Sequence, residues 1–97
     1  MLRIQSKTIK KDGIVDGLQF TITSPRPITL DLENRIAKIV LREFRWIFRN
    51  INFVKSENKF TITGTFKMGV VYSSKKNNRD SLVKRTRLLI TRAGKID

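Results

Sequence analysis

The segment from Asp31 to Ile51, DLENRIAKIVLREFRWIFRNI, decides the fold, because here charged and apolar residues both recur at helical spacing. Ile36, Val40, Phe44, Ile47 and Ile51 fall on one side, flanked by Ala37, Leu41 and Phe48. Arg35, Lys38, Arg42, Arg45 and Arg49 fall on the other, spaced three, four, three and four residues apart. At about 100° per residue these cations share an arc of roughly 80°, and at about 1.5 Å per residue they cover roughly 21 Å of axis. The pattern predicts one long amphipathic helix from about Leu32 to Ile51, with one face to bury and one to display. Asp31 is the expected N-cap, with Thr29 as the alternative, and Asp31 and Glu33 place negative charge where the helix dipole favours it.

The stripe opposes the helix that carries it. Like charges at (i, i+3) or (i, i+4) cost roughly 0.2–0.5 kcal/mol per pair, about 1–2 kcal/mol over the stripe. Asp31 reaches Arg35 at (i, i+4), whereas Glu33 and Glu43 point around the cylinder. A face that serves solubility alone usually mixes its signs. The imbalance predicts an anionic partner.

Composition supports that expectation. The 97 residues hold 21 Lys and Arg against 8 Asp and Glu, a net charge of +13, and 39% apolar content, enough for one small folded domain over residues 1–97. The charge is uneven: residues 1–34 have five cations and four anions, residues 35–66 seven and two, and residues 67–97 nine and two. Nucleic acid is the commonest polyanion that such a field serves.

The chain has no Cys and no His, which excludes thiolate or imidazole metal sites, disulfides and Ser-His-Asp or Cys-His catalysis. Its longest aliphatic runs are the three-residue Ile39-Val40-Leu41 and Leu88-Leu89-Ile90, too short for a membrane span or a secretory core. The expectation is a non-enzymatic, intracellular or virion-associated protein without cofactor or metal, not secreted and not in a membrane. A homo-oligomer or a larger nucleoprotein assembly stays open.

Around the helix the pattern is that of strands. Leu2–Lys10 and Ile14–Thr23 flank Lys11-Asp12-Gly13 as a hairpin, and Ser24-Pro25-Arg26-Pro27 breaks the ladder before the helix. Phe53-Val54-Lys55 and Phe60–Thr63 flank Ser56–Lys59 as a second hairpin, with alternation continuing through Phe66, Met68, Val70 and Tyr72. Gly64 and Gly69 signal a bulge or a close backbone contact. The tail supports two readings. As a strand, Thr86, Leu88 and Ile90 alternate with Arg85, Arg87 and Leu89; as a helix from Asp80 to Gly94, Leu82, Val83, Thr86, Leu89, Ile90 and Ala93 share a face. The β-branched content favours the strand.

The expected fold is α+β, an antiparallel sheet with the long helix on one face. The expected function is non-catalytic binding of DNA or RNA through phosphate contacts. Arg35, Lys38, Arg42, Arg45 and Arg49 form the main row, and Lys75, Lys76, Arg79, Arg85 and Arg87 form a C-terminal basic region. Trp46, at roughly 20° from Arg35 on the wheel, either packs under a loop or against the arginines as a cation–π pair, or is a stacking platform for an unpaired base. Tyr72 has the same two options. The competing reading is a structural subunit of a nucleoprotein or virus particle whose cations meet an acidic protein. Glu57-Asn58-Lys59 has the Glu-x-Lys spacing of some metal-dependent nucleases, but it falls in a turn without the preceding Pro-Asp element, and an exposed turn is the expectation.

With a helical tail, the order helix, three strands, helix over residues 31–93 resembles the double-stranded-RNA-binding domains, and Ser74-Lys75-Lys76 is similar to the Ser-Lys-Lys run before that family's second helix. The chain departs from them in its N-terminal hairpin and in lacking an alanine-rich second helix, and the assignment is not adopted.

Overall fold

The computed structural model describes residues 2–67 and 76–95. Within them the chain runs β1 (Arg3–Lys11), β2 (Ile14–Thr23), α1 (Leu30–Phe44), β3 (Phe48–Lys55), β4 (Lys59–Phe66) and α2 (Lys76–Lys95). The α+β class follows, with one antiparallel sheet in the order β1-β2-β4-β3.

Both hairpins form where turn chemistry allows. Asp12 and Gly13 take positive φ, 54° and 81°, the left-handed pair a tight two-residue connection needs and glycine adopts freely. The second turn closes with Ser56 N–H donating to the Lys59 carbonyl (2.9 Å). It is also tied to the proline crossover: Asn58 Nδ2 donates to the Ser24 carbonyl (3.1 Å), and Ile28 N–H donates to the Glu57 carbonyl (2.8 Å).

Alternation sends Leu18, Phe20 and Ile22 of β2 and Phe60, Ile62 and Phe66 of β4 to one face, where they are buried. Leu32, Ile36, Val40 and Phe44 of α1, and Leu82 and Ile90 of α2, cover that face. The opposite face carries no helix residue of this core and presents Gln19, Thr21, Thr61, Thr63 and Thr65, all half-buried. The outer strands are β1 and β3.

Three expectations change. Thr29, not Asp31, caps α1, its Oγ1 accepting from Leu32 N–H (3.1 Å). The helix ends at Phe44 instead of Ile51. Arg45 N–H donates to the Leu41 carbonyl (3.0 Å), and Ile47 N–H to the Phe44 carbonyl (2.9 Å), a tightened last turn before the chain reverses. From there Asn50 and Asn52, poor helix formers, alternate with Ile51 and Phe53 along β3. The spacing from Leu32 through Phe44 runs on to Phe48, also buried, which is why the sequence reads as an unbroken helix.

The third correction concerns the tail, which is helical from Lys76 to Lys95. The shared face anticipated for the helical reading is present: Leu82, Thr86, Ile90 and Ala93 are buried, with Val83 and Leu89 half-buried beside them. Thr86, β-branched and polar, is accommodated by donating Oγ1–H to the Leu82 carbonyl (2.8 Å). Among the described residues two strands, not three, lie between the helices. Met68, Gly69, Val70 and Tyr72 lie outside the described residues. A bulge falls in β3, where Arg49 is the extra residue between Phe48 (opposite Phe66) and Asn50 (opposite Thr65), and a second falls in β2, where Asp16 is extra between Gly17 (opposite Ile9) and Val15 (opposite Lys10).

Gly64 is fixed by sterics. A Cβ there would run into the Phe48 ring, which packs on Phe44 (4.8 Å between centroids) and on Phe66 (5.1 Å). Gly64→Ala is expected to lower unfolding stability by about 1–3 kcal/mol, the range for overpacking a filled core, as read by urea denaturation. Thr29→Ala is expected to cost about 1 kcal/mol in the same assay through loss of the cap.

Candidate nucleic-acid interface

The early end of α1 divides the five-cation row between several elements. Arg35, Lys38 and Arg42 remain on one helix face and cover about 10 Å. Arg45 is the C-cap, and Arg49 stands exposed at the β3 bulge. The shortening also changes the electrostatics. Two like-charge contacts remain within the helix in place of four, and Arg42 in the last turn and Arg45 at the cap now lie where the helix dipole attracts cations.

The acids near the row are each committed, Asp31 within it and Glu33 and Glu43 outside it. Asp31 Oδ2 pairs with Arg35 Nη2. Glu33 Oε2 takes Lys55 Nζ from β3 (3.2 Å), and Glu43 Oε2, largely buried at 16% exposure, takes Arg85 Nε from α2 (3.1 Å). Arg35 Nη1 also donates to the Ala93 carbonyl (3.4 Å). Contacts of residue 43 with 85 and of 35 with 93 make the two helices antiparallel.

Between them runs an open groove of about 460 Å³. Ile39, Leu89 and Ala93 contribute apolar surface to its lining, and Arg35, Lys38, Arg42 and Arg92 contribute cations. Lys38, Arg42 and Arg92 are exposed, and among the described residues no carboxylate lies within ion-pair distance of them. Arg92 was not singled out in the sequence. The signal was present in the helical reading of the tail, which aligns Arg85, Leu89 and Arg92 at i, i+4 and i+7.

A second basic group adjoins the first, one helical turn beyond Arg42. Trp46 is 70% exposed on the turn after α1, with the Arg45 guanidinium 4.6 Å from its ring centroid and Lys67 Nζ at 5.9 Å. The cation–π arrangement expected for Trp46 is therefore present. Lys67 arrives from the end of β4, where its N–H donates to the Ile47 carbonyl (2.9 Å). It is 21 residues from Trp46 in sequence, so only the sheet register brings the two together.

The remaining residues of the C-terminal basic region separate. On a helix, residues two apart point about 200° from each other, so Arg85 faces Glu43 while Arg87 is exposed elsewhere on α2. They do not share the single face expected of a strand. The backbone of Lys76 and Arg79 opens α2, their side chains being outside the described set; Lys75 lies outside the described residues. Glu57 and Lys59 are exposed in the second hairpin, and among the described residues no three acidic groups cluster to hold a metal. Among the described residues no helix is long and apolar enough to cross a membrane.

Compared with protein-family models, curated proteins and solved structures, the chain matches none.

The exposure of Trp46 gives a direct expectation. Its fluorescence in the free protein should have the red-shifted maximum of a wetted indole, and iodide should quench it more strongly than caesium because Arg45 and Lys67 attract the anion. A blue-shifted, iodide-resistant emission would place the ring inside. Trp46→Ala should leave unfolding stability within about 1 kcal/mol, as for surface positions engaged in one cation–π contact.

Proposed function

We propose that the protein binds nucleic acid without catalysis, holding the phosphate backbone along the groove between α1 and α2. The observation that carries this reading is the set of three exposed cations without carboxylate partners among the described residues, Lys38, Arg42 and Arg92, on both walls of one groove. Acids are present on the same helix, yet Glu33 and Glu43 neutralise Lys55 and Arg85 instead. Charges left this way concentrate positive potential along the groove.

Each arginine offers parallel donors to phosphate oxygens, and lysine a flexible point charge; both release condensed counterions on contact. Arg45, Arg49 and Lys67 extend the surface around the end of α1. Contacts of this kind fix the position of a nucleic acid and carry little sequence information. Selectivity then comes from shape or from strand state.

Binding to duplex DNA, single-stranded DNA and RNA across a salt series tests the reading. On duplex DNA the slope of log K against log salt should be steep, and the triple change Lys38→Gln, Arg42→Gln and Arg92→Gln should flatten it by roughly two to three units, from about 0.9 per lost phosphate contact. The same charge reduction on the outer strand, Lys7→Gln, Lys10→Gln and Lys11→Gln, should flatten it much less. Equal flattening would mean diffuse charge and no groove. Absence of binding at low salt, with stable assembly onto an acidic protein, would replace this function by that of a structural subunit.

A further inference from the structure

Trp46 is the chain's one tryptophan, and it is placed outside the core. Tryptophan is among the most buried residue types on average, because wetting its ring forgoes a large hydrophobic gain. Here the core closes without it: Phe44 and Phe48, two residues to either side, are 0% and 4% exposed and pack on each other. The groups over the Trp46 ring are both cationic, Arg45 and Lys67. This is an aromatic surface kept in water and surrounded by positive charge.

The geometry points to a stacking platform: we infer that Trp46, with Arg45 and Lys67 over its ring and 70% of its surface still exposed, receives an unpaired base on the surface left open, so that the preferred ligand is single-stranded nucleic acid. The inference rests on the nucleic-acid reading above and names the strand state that it leaves open. In a duplex, neighbouring base pairs cover each base face and the grooves offer only edges, so an exposed indole has little to stack on. In a single strand every base has a free face, and the phosphates beside it fall within reach of Arg45, Lys67 and, one turn away on α1, Arg42. A second copy of the chain is a poor occupant, since it would bring another net +13 to a site already flanked by cations.

The sole tryptophan makes its own fluorescence the reporter of this site. The full chain is titrated at one low salt concentration with an oligothymidylate strand and with a blunt duplex, and affinities are also read by anisotropy of the labelled nucleic acids. The single strand should quench Trp46 and bind more tightly than the duplex. Trp46→Ala should weaken single-strand binding about 5- to 150-fold, the range of one base–aromatic stack, and leave duplex binding unchanged. Trp46→Phe should retain part of the preference, and circular dichroism establishes that both variants fold.

Equal affinity for both ligands, with neither changed by Trp46→Ala, would overturn the stacking platform and leave backbone binding intact. No binding of either ligand would overturn both readings. Trp46 emission that shifts with protein concentration in the absence of nucleic acid, together with single-strand affinity unaffected by Trp46→Ala, would assign the ring to contact between copies and overturn the proposal.

Discussion

Four phenylalanine rings, one from each of four elements, form a continuous run through the core: Phe20 of β2 on Phe44 of α1 (5.8 Å), Phe44 on Phe48 of β3 (4.8 Å), and Phe48 on Phe66 of β4 (5.1 Å). Such pairs add about 0.5–1.5 kcal/mol each beyond the area they bury. Their larger effect here is geometric. Phe44 and Phe48 enter the same core from a helix and a strand with three residues between them, which requires the chain to reverse at Arg45, Trp46 and Ile47. Ile47 stays half-buried, while Arg45 and Trp46 occupy the outside of the bend. Core packing thus sets the position of the basic aromatic corner.

The same run explains where reading the sequence succeeded and where it did not. Both hairpins were legible, because Asp12-Gly13 and Ser56–Lys59 carry turn chemistry between alternating strands. The buried face of α1 up to Phe44 was legible from its spacing. Its end was not, since Phe48 keeps the helical interval from Phe44 although it reaches the core from the other side of a turn. Period alone cannot separate these cases; Asn50 and Asn52 were the local cues, and they are weak ones.

The tail shows a different limit. The β-branched Thr86 and Ile90 favour a strand, yet a buried threonine is acceptable in a helix when its hydroxyl bonds back to the preceding turn, as it does to Leu82. The helix then joins Arg92 to Lys38 and Arg42 and separates Arg85 from Arg87. Which cations share a surface depended on that one choice, and Lys67 beside Trp46 depended on sheet register, a long-range property.

Among the described residues, the order β1-β2-β4-β3 leaves the outer edges of β1 and β3 without a neighbouring strand, a standing invitation to pair with other sheets. The β1 side carries exposed Lys7, Lys10 and Lys11, and β3 exposed Arg49, in a chain of net +13. Repulsion between copies is therefore the guard on both edges, and it acts over a distance set by dissolved ions, about 8 Å at physiological strength. Colloidal stability in this molecule is tied to that net charge. Any polyanion that neutralised the surface would lower the barrier between neighbouring copies at the same moment.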